Sequence, residues 1–217
     1  MSFTALAAAG LPTLSRRGVL AVLSGGAFAS HRLAFGDDEA EARKRRNKKK
    51  RKRKNRKPKV RADVVCPGPA DDGGLTIGFP NVRLGQTFVA RSSGSLVKAE
   101  LLIEESPGAS GDYVLHLATV DAFGVPTNDV LATASVANPR VPEGQSTVTF
   151  TFARPAAVVA NTQYALILFR PDSDSLLWRG HFGDTCGGRT FDSASLTAPF
   201  NARNLELDLI FTTFLRS

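Results

Sequence analysis

Residues 146–152 alternate strictly along the chain. Val148, Phe150 and Phe152 fall on one face, and Thr147, Thr149 and Thr151 on the other, the period of two that marks a strand with one side in water. Residues 205–214 repeat the pattern, with Leu205, Leu207, Leu209 and Phe211 opposite Glu206, Asp208 and Thr212. Two apolar runs, 113–120 and 164–169, lack this alternation and predict strands covered on both sides or poorly exposed on one. Further short strands are predicted over 86–91, 96–104, 130–136, 176–179 and 190–195, separated by turn signals such as Ser92-Ser93-Gly94, Ser106-Pro107-Gly108 and Gly187-Gly188. Residues 98–105 (KAELLIEE) are strong helix formers. Here Val97, Ala99, Leu101 and Ile103 alternate with Lys98, Glu100 and Glu104, which favours a strand. Short strands at this spacing, with no convincing helix, predict an all-β fold: a two-sheet antiparallel β-sandwich.

Charge divides the chain. Fifteen of the 28 Lys and Arg residues fall within residues 43–61, where no apolar residue recurs at helical or strand spacing. Neighbouring like charges repel, so this run is expected to be disordered and extended. From Ala62 onward ten Lys and Arg face sixteen Asp and Glu, a net charge of −6 with histidine neutral. A nucleic-acid-binding fold would need its basic groove built into the domain, so specific nucleic-acid recognition is not expected. The basic run itself suits electrostatic contact with polyanions such as cell-wall polymers; a solubilising linker that binds nothing is the alternative. The predicted organisation is a leader over residues 1–29, a disordered linker over 30–63 and a sandwich domain over 64–217.

The leader reads SRRGVL over residues 15–20 and continues as AVLSGGAFAS. This layout resembles a bacterial twin-arginine export signal over roughly the first 30 residues, with a general secretory signal as the alternative. The resemblance implies that Arg16 and Arg17 are the pair read by the export machinery. Ala27-Phe28-Ala29 has the small-x-small form of a cleavage site, so the exported chain would begin near Ser30. A membrane span needs about 20 apolar residues, and the stretch over 18–29 is shorter and broken by Ser24, Gly25 and Gly26. A secreted or envelope-associated protein with no transmembrane segment in its mature form is expected. Export also places the two cysteines in an oxidising compartment, where Cys66 and Cys186, with no third to compete, are expected to form a disulfide.

The folded part resembles bacterial jelly-roll sandwich domains of secreted proteins, related in look to carbohydrate-binding modules. The resemblance rests on Gln86-Thr87-Phe88, Phe123-Gly124-Val125-Pro126, residues 161–166 (NTQYAL), Trp178 and the closing residues 207–211 (LDLIF). It implies a jelly-roll fold and an extracellular setting, with sugar binding only by analogy.

Chemistry is sparse. The chain contains no Gly-x-Ser-x-Gly elbow, phosphate loop, His-Glu-x-x-His or Cys-x-x-Cys, and neither catalysis nor a cofactor is expected. Of three histidines, His31 lies beside the leader and His116 falls inside an apolar strand, where a core or sheet-face role is expected. His181, Asp184 and Cys186 have metal-compatible spacing, but the disulfide is the better use of Cys186. Asp172 and Asp174 could hold calcium, although aspartate in turns is common. A polysaccharide would need exposed aromatic planes, for which the candidates are Trp178, with Arg179 and His181 beside it, and Tyr113, followed by Tyr164 and Phe182. The reading that follows is a non-catalytic structural or adhesion module whose basic run contacts envelope polyanions, with a glycan-binding domain as the alternative.

Overall fold

The computed structural model describes residues 41, 43–47, 58–68, 73–77, 82–108, 111–171, 176–183, 186–203 and 206–217. Arg16 and Arg17, the rest of the leader and most of the basic run lie outside the described residues. The chain forms two compact units, residues 1–55 and 56–217. In the first, residues 43–47 are helical, where extended chain was expected. Lys and Arg are good helix formers, and Arg45 reaches Glu41 one turn away at 3.7 Å.

The second unit is a β-sandwich of two antiparallel sheets. One sheet holds β1 (Val60–Cys66), β2 (Gly73–Ile77), β4 (Gly94–Glu105), β7 (Gly144–Val158), β9 (Leu176–Phe182), β12 (Leu207–Leu209) and β13 (Phe211–Arg216). The other holds β3 (Arg83–Val89), β5 (Tyr113–Val120), β6 (Pro126–Val136), β8 (Gln163–Phe169), β10 (Thr190–Ser193) and β11 (Asn201–Ala202). The neighbours β1-β13-β4-β7 in one sheet and β3-β8-β5-β6 in the other form the two four-stranded layers of a jelly roll. The folded part begins at Val60 rather than at residue 64: Val60 pairs with Arg216 and Arg61 with Leu215, so strand pairing along β13 overrides the charge that marked these residues as linker.

Residues 98–105 are strand, because β4 is paired along both edges. β7 runs the length of one edge, while β13 pairs with residues 95–101 and β9 with residues 103–105 on the other. The stretch predicted as one strand over 205–214 is divided at Ile210. β12 pairs with β9 and β13 with β4, and Ile210 bonds across the fork through Ile210 N–H to the Arg179 carbonyl (2.9 Å) and its own carbonyl to Leu102 N–H (3.2 Å).

The inward faces form the main core, with Phe88, Leu101, Phe150, Leu166, Leu168 and Phe211 buried between the sheets. β8 has no alternation because its other face is also covered. Ala165 and Ile167 join Ala118, Phe191 and Phe200 in a second apolar cluster on the outside of the β3-β8-β5 layer. Gly85 lies beneath this cluster, its missing Cβ facing Phe191, Pro126 and Phe200 at 3.6–3.7 Å. Arg83 fastens the covering segment by donating to Ser193 Oγ (3.0 Å), the Ala198 carbonyl (2.6 Å) and Asn128 Oδ1 (2.8 Å), with its guanidinium 4.2 Å from the Phe200 ring centroid.

Candidate functional site

Cys66 ends β1 and Cys186 lies in the segment between β9 and β10. They form the expected disulfide, with Cα atoms 5.3 Å apart, inside the range that bridging requires. Asp208 sits against it. This residue was expected on a wet face, yet it is buried, because Gln86 of β3 and the segment at Cys186 cover it. Its Oδ2 accepts the Cys186 N–H (2.9 Å) and its Oδ1 the Gln86 side-chain amide (3.3 Å), while Gln86 Oε1 accepts the Leu209 N–H (3.0 Å). The Cys66 and Cys186 sulfurs and an Asp208 oxygen lie within 4.8 Å of one another. Thiolate is the ligand form of cysteine, and the disulfide removes both thiolates, so the oxidised cluster is a structural clasp. Asp184, the third member of the metal-compatible spacing, lies outside the described residues, as do His31, Asp172 and Asp174.

The residues considered for a sugar platform are not brought together on a surface. Trp178 is fully buried in the fork: it lies between Leu75 of β2 and Ile103 of β4, and its indole N–H donates to the Ile210 carbonyl at 3.1 Å. Tyr113 is equally buried beneath the Arg170 guanidinium, 4.5 Å from its ring centroid. Neither ring can stack on a ligand, which corrects the expectation for both. Arg179 is half-buried and pairs with Glu104 at 2.8 Å. His181 is buried opposite Asp208, packed so closely on Gly68 that no side chain could stand there. Tyr164 belongs to the core, its hydroxyl accepting the Val159 N–H at 3.0 Å. Of the aromatic candidates only Phe182 is exposed.

His116 has the sheet-face role expected of it, edge-on to Phe169 with ring centroids 4.9 Å apart. Burial, and secondly the Arg83 charge, hold its pKa below the ordinary histidine value, so it is neutral at pH 7.

Two features escaped the sequence reading. The first is an open cleft of about 320 Å³ where the free edges of β6 and β7 meet, lined by Ser135, Arg140, Pro142, Thr147, Thr149 and Thr151. The alternation of β7 put these threonines in water, but only the approach of β6 makes a cleft of them. The second is Phe123, 86% exposed at the tip of the β5–β6 turn. The turn was legible as Phe-Gly-Val-Pro; the direction of the ring was not. No helix among the described residues is long and apolar enough to cross a membrane. The chain matches no known protein-family model and no curated protein.

Proposed function

We propose that this chain is an exported, non-catalytic adhesion module, held at the cell envelope by its basic run and carrying the sandwich as its folded part. The observation that carries the reading is the segregation of charge: fifteen Lys and Arg within residues 43–61 against a net −6 from Ala62 onward. Such a run binds polyanions by releasing their counterions, and that binding falls steeply with salt. A disulfide in a domain of this kind fits an oxidising compartment.

The test is retention on immobilised polyphosphate. Deleting residues 43–57, which spares β1, is expected to weaken binding at low salt by at least about a hundredfold. The melting temperature should stay the same, because residues 58–217 keep every strand. Undiminished retention of the deleted form would move the binding site into the sandwich. The export half of the reading is checked separately by fractionation. Replacing Arg16 and Arg17 together with lysine is expected to leave the precursor in the cytoplasm, and unchanged secretion would assign the leader to the general route.

The glycan-binding reading has one observation in its favour, the cleft between β6 and β7. Hydroxyls from Ser135, Thr147, Thr149 and Thr151 beside the Arg140 guanidinium can bond sugar hydroxyls, although no aromatic plane is among the lining residues. Retardation of the tail-less domain by a soluble polysaccharide in affinity electrophoresis would favour it.

A further inference from the structure

We propose that the end of the sandwich where β1 begins is a docking face for an anionic lipid bilayer. This rests on the reading of the basic run as polyanion-binding and names the partner of the folded part.

Three turns close this end of the jelly roll, at residues 90–93, 121–125 and 159–162, and they are tied to one another. Asn161 N–H donates to the Ala90 carbonyl (2.7 Å), Ala90 N–H to the Thr162 carbonyl (3.0 Å) and Ala160 N–H to Ser93 Oγ (2.9 Å). Gly124 sits against the side chain of Gln163, which pairs with Val89. On the neighbouring sheet Val60 pairs with Arg216, Arg216 with Ser95, and Gly94 with Val158. One continuous face results.

Its apolar side chains point outward. Phe123 is 86% exposed and Val159 58%, and Val60 and Val89 are exposed beside them. The backbone that carries Phe123 is also held in place: Asp121 Oδ1 accepts both the Phe123 N–H (2.8 Å) and the Val125 N–H (2.9 Å), and Gly124 takes the positive φ of 77° that the turn requires. A large apolar ring held out in water on a fixed turn gains nothing for the fold. It gains by entering an apolar phase, and the backbone of the turn is already ordered for it.

Charge selects the phase. Lys59, Arg61, Arg91 and Arg216 are exposed on the same end, and the basic run enters the sandwich there through β1. Asp121 and Asp63 are the carboxylates on these segments, and each accepts backbone N–H groups. A second copy would have to bring two basic ends together. A soluble polyanion satisfies the cations and leaves the apolar tips in water, whereas a bilayer with anionic headgroups takes both.

The experiment compares two probes: vesicles of phosphatidylglycerol and phosphatidylcholine, and soluble polyphosphate. The protein is the chain from residue 30, which keeps the whole second unit. The variant Phe123→Ser/Val159→Ser changes only exposed side chains, and its melting temperature confirms folding. It is expected to bind the vesicles roughly ten- to a hundredfold more weakly, with polyphosphate affinity unchanged. Phe182→Ser, another exposed ring (60%) that lies on β9, should leave both unchanged. Vesicle binding by the double variant equal to that of the parent, or parent protein that binds polyphosphate but not vesicles, overturns the docking face and leaves the basic-run reading standing. Failure of that reading is a different result: polyphosphate affinity that survives deletion of residues 43–57.

Discussion

Replacing Cys66 and Cys186 together with serine is expected to lower the melting temperature of the domain by roughly 10–20 °C. The bridge joins residues 120 apart in sequence. Closing a loop of that length in the unfolded chain is worth about 4–5 kcal/mol in the chain-entropy model, and a domain of this size shifts by about 2–4 °C per kcal/mol. The location adds to the effect. Cys66 ends the edge strand β1, and Cys186 anchors the segment whose N–H is bonded to buried Asp208. Without the bridge, β1 is free to fray inward from the end at which the basic run enters. Calorimetry of the double variant beside the parent, each with and without reductant, checks this. Reductant should bring the parent to the variant's melting point and leave the variant where it is. A shift of a degree or two would show that the bridge does not constrain the unfolded chain.

The second large effect is expected at Arg170. Its side chain is fully buried, pairs with Glu105 at 3.3 Å, donates to the Gly111 carbonyl at 2.8 Å and covers the ring of Tyr113. Glu105 ends β4 in one sheet and Arg170 follows β8 in the other, so the pair clamps the two layers at the end opposite the proposed docking face. Arg170→Met strands a buried carboxylate without its cation and should cost about 3–5 kcal/mol in urea unfolding. Arg170→Met/Glu105→Leu removes both desolvation costs and should recover most of that loss. Equal stability of the single and double variants would show that the two charges are not coupled.

The expectations met by the structure rest on side-chain period and on composition. Residues 113–120 coincide with β5, and the alternation over 146–152 describes the buried and wet faces of β7 residue by residue. Pairing of Cys66 with Cys186 followed from there being two cysteines and no competitor. Side-chain period and composition are properties of the chain itself, and they survive whatever packs against them.

Contact-dependent features were not legible in this way. Val60 and Arg61 are strand because β13 offers them an open edge, although their own segment reads as charge. Trp178 is buried because β9 wedges into the fork between β4 and β13, a division at Ile210 that leaves no mark in the alternation of residues 205–214. Asp208 falls on the polar side of that alternation, and only Gln86 and the Cys186 segment packed over it make it a buried clasp beside the disulfide. Phe123 reads as part of a turn, and only the place of that turn at the end of the sheet leaves its ring in water. A period of two tells which residues share a face of a strand. What covers that face depends on partners far along the chain, so the sequence by itself determined the sandwich and its bridge, and tertiary packing decided which aromatic rings remain available to a ligand.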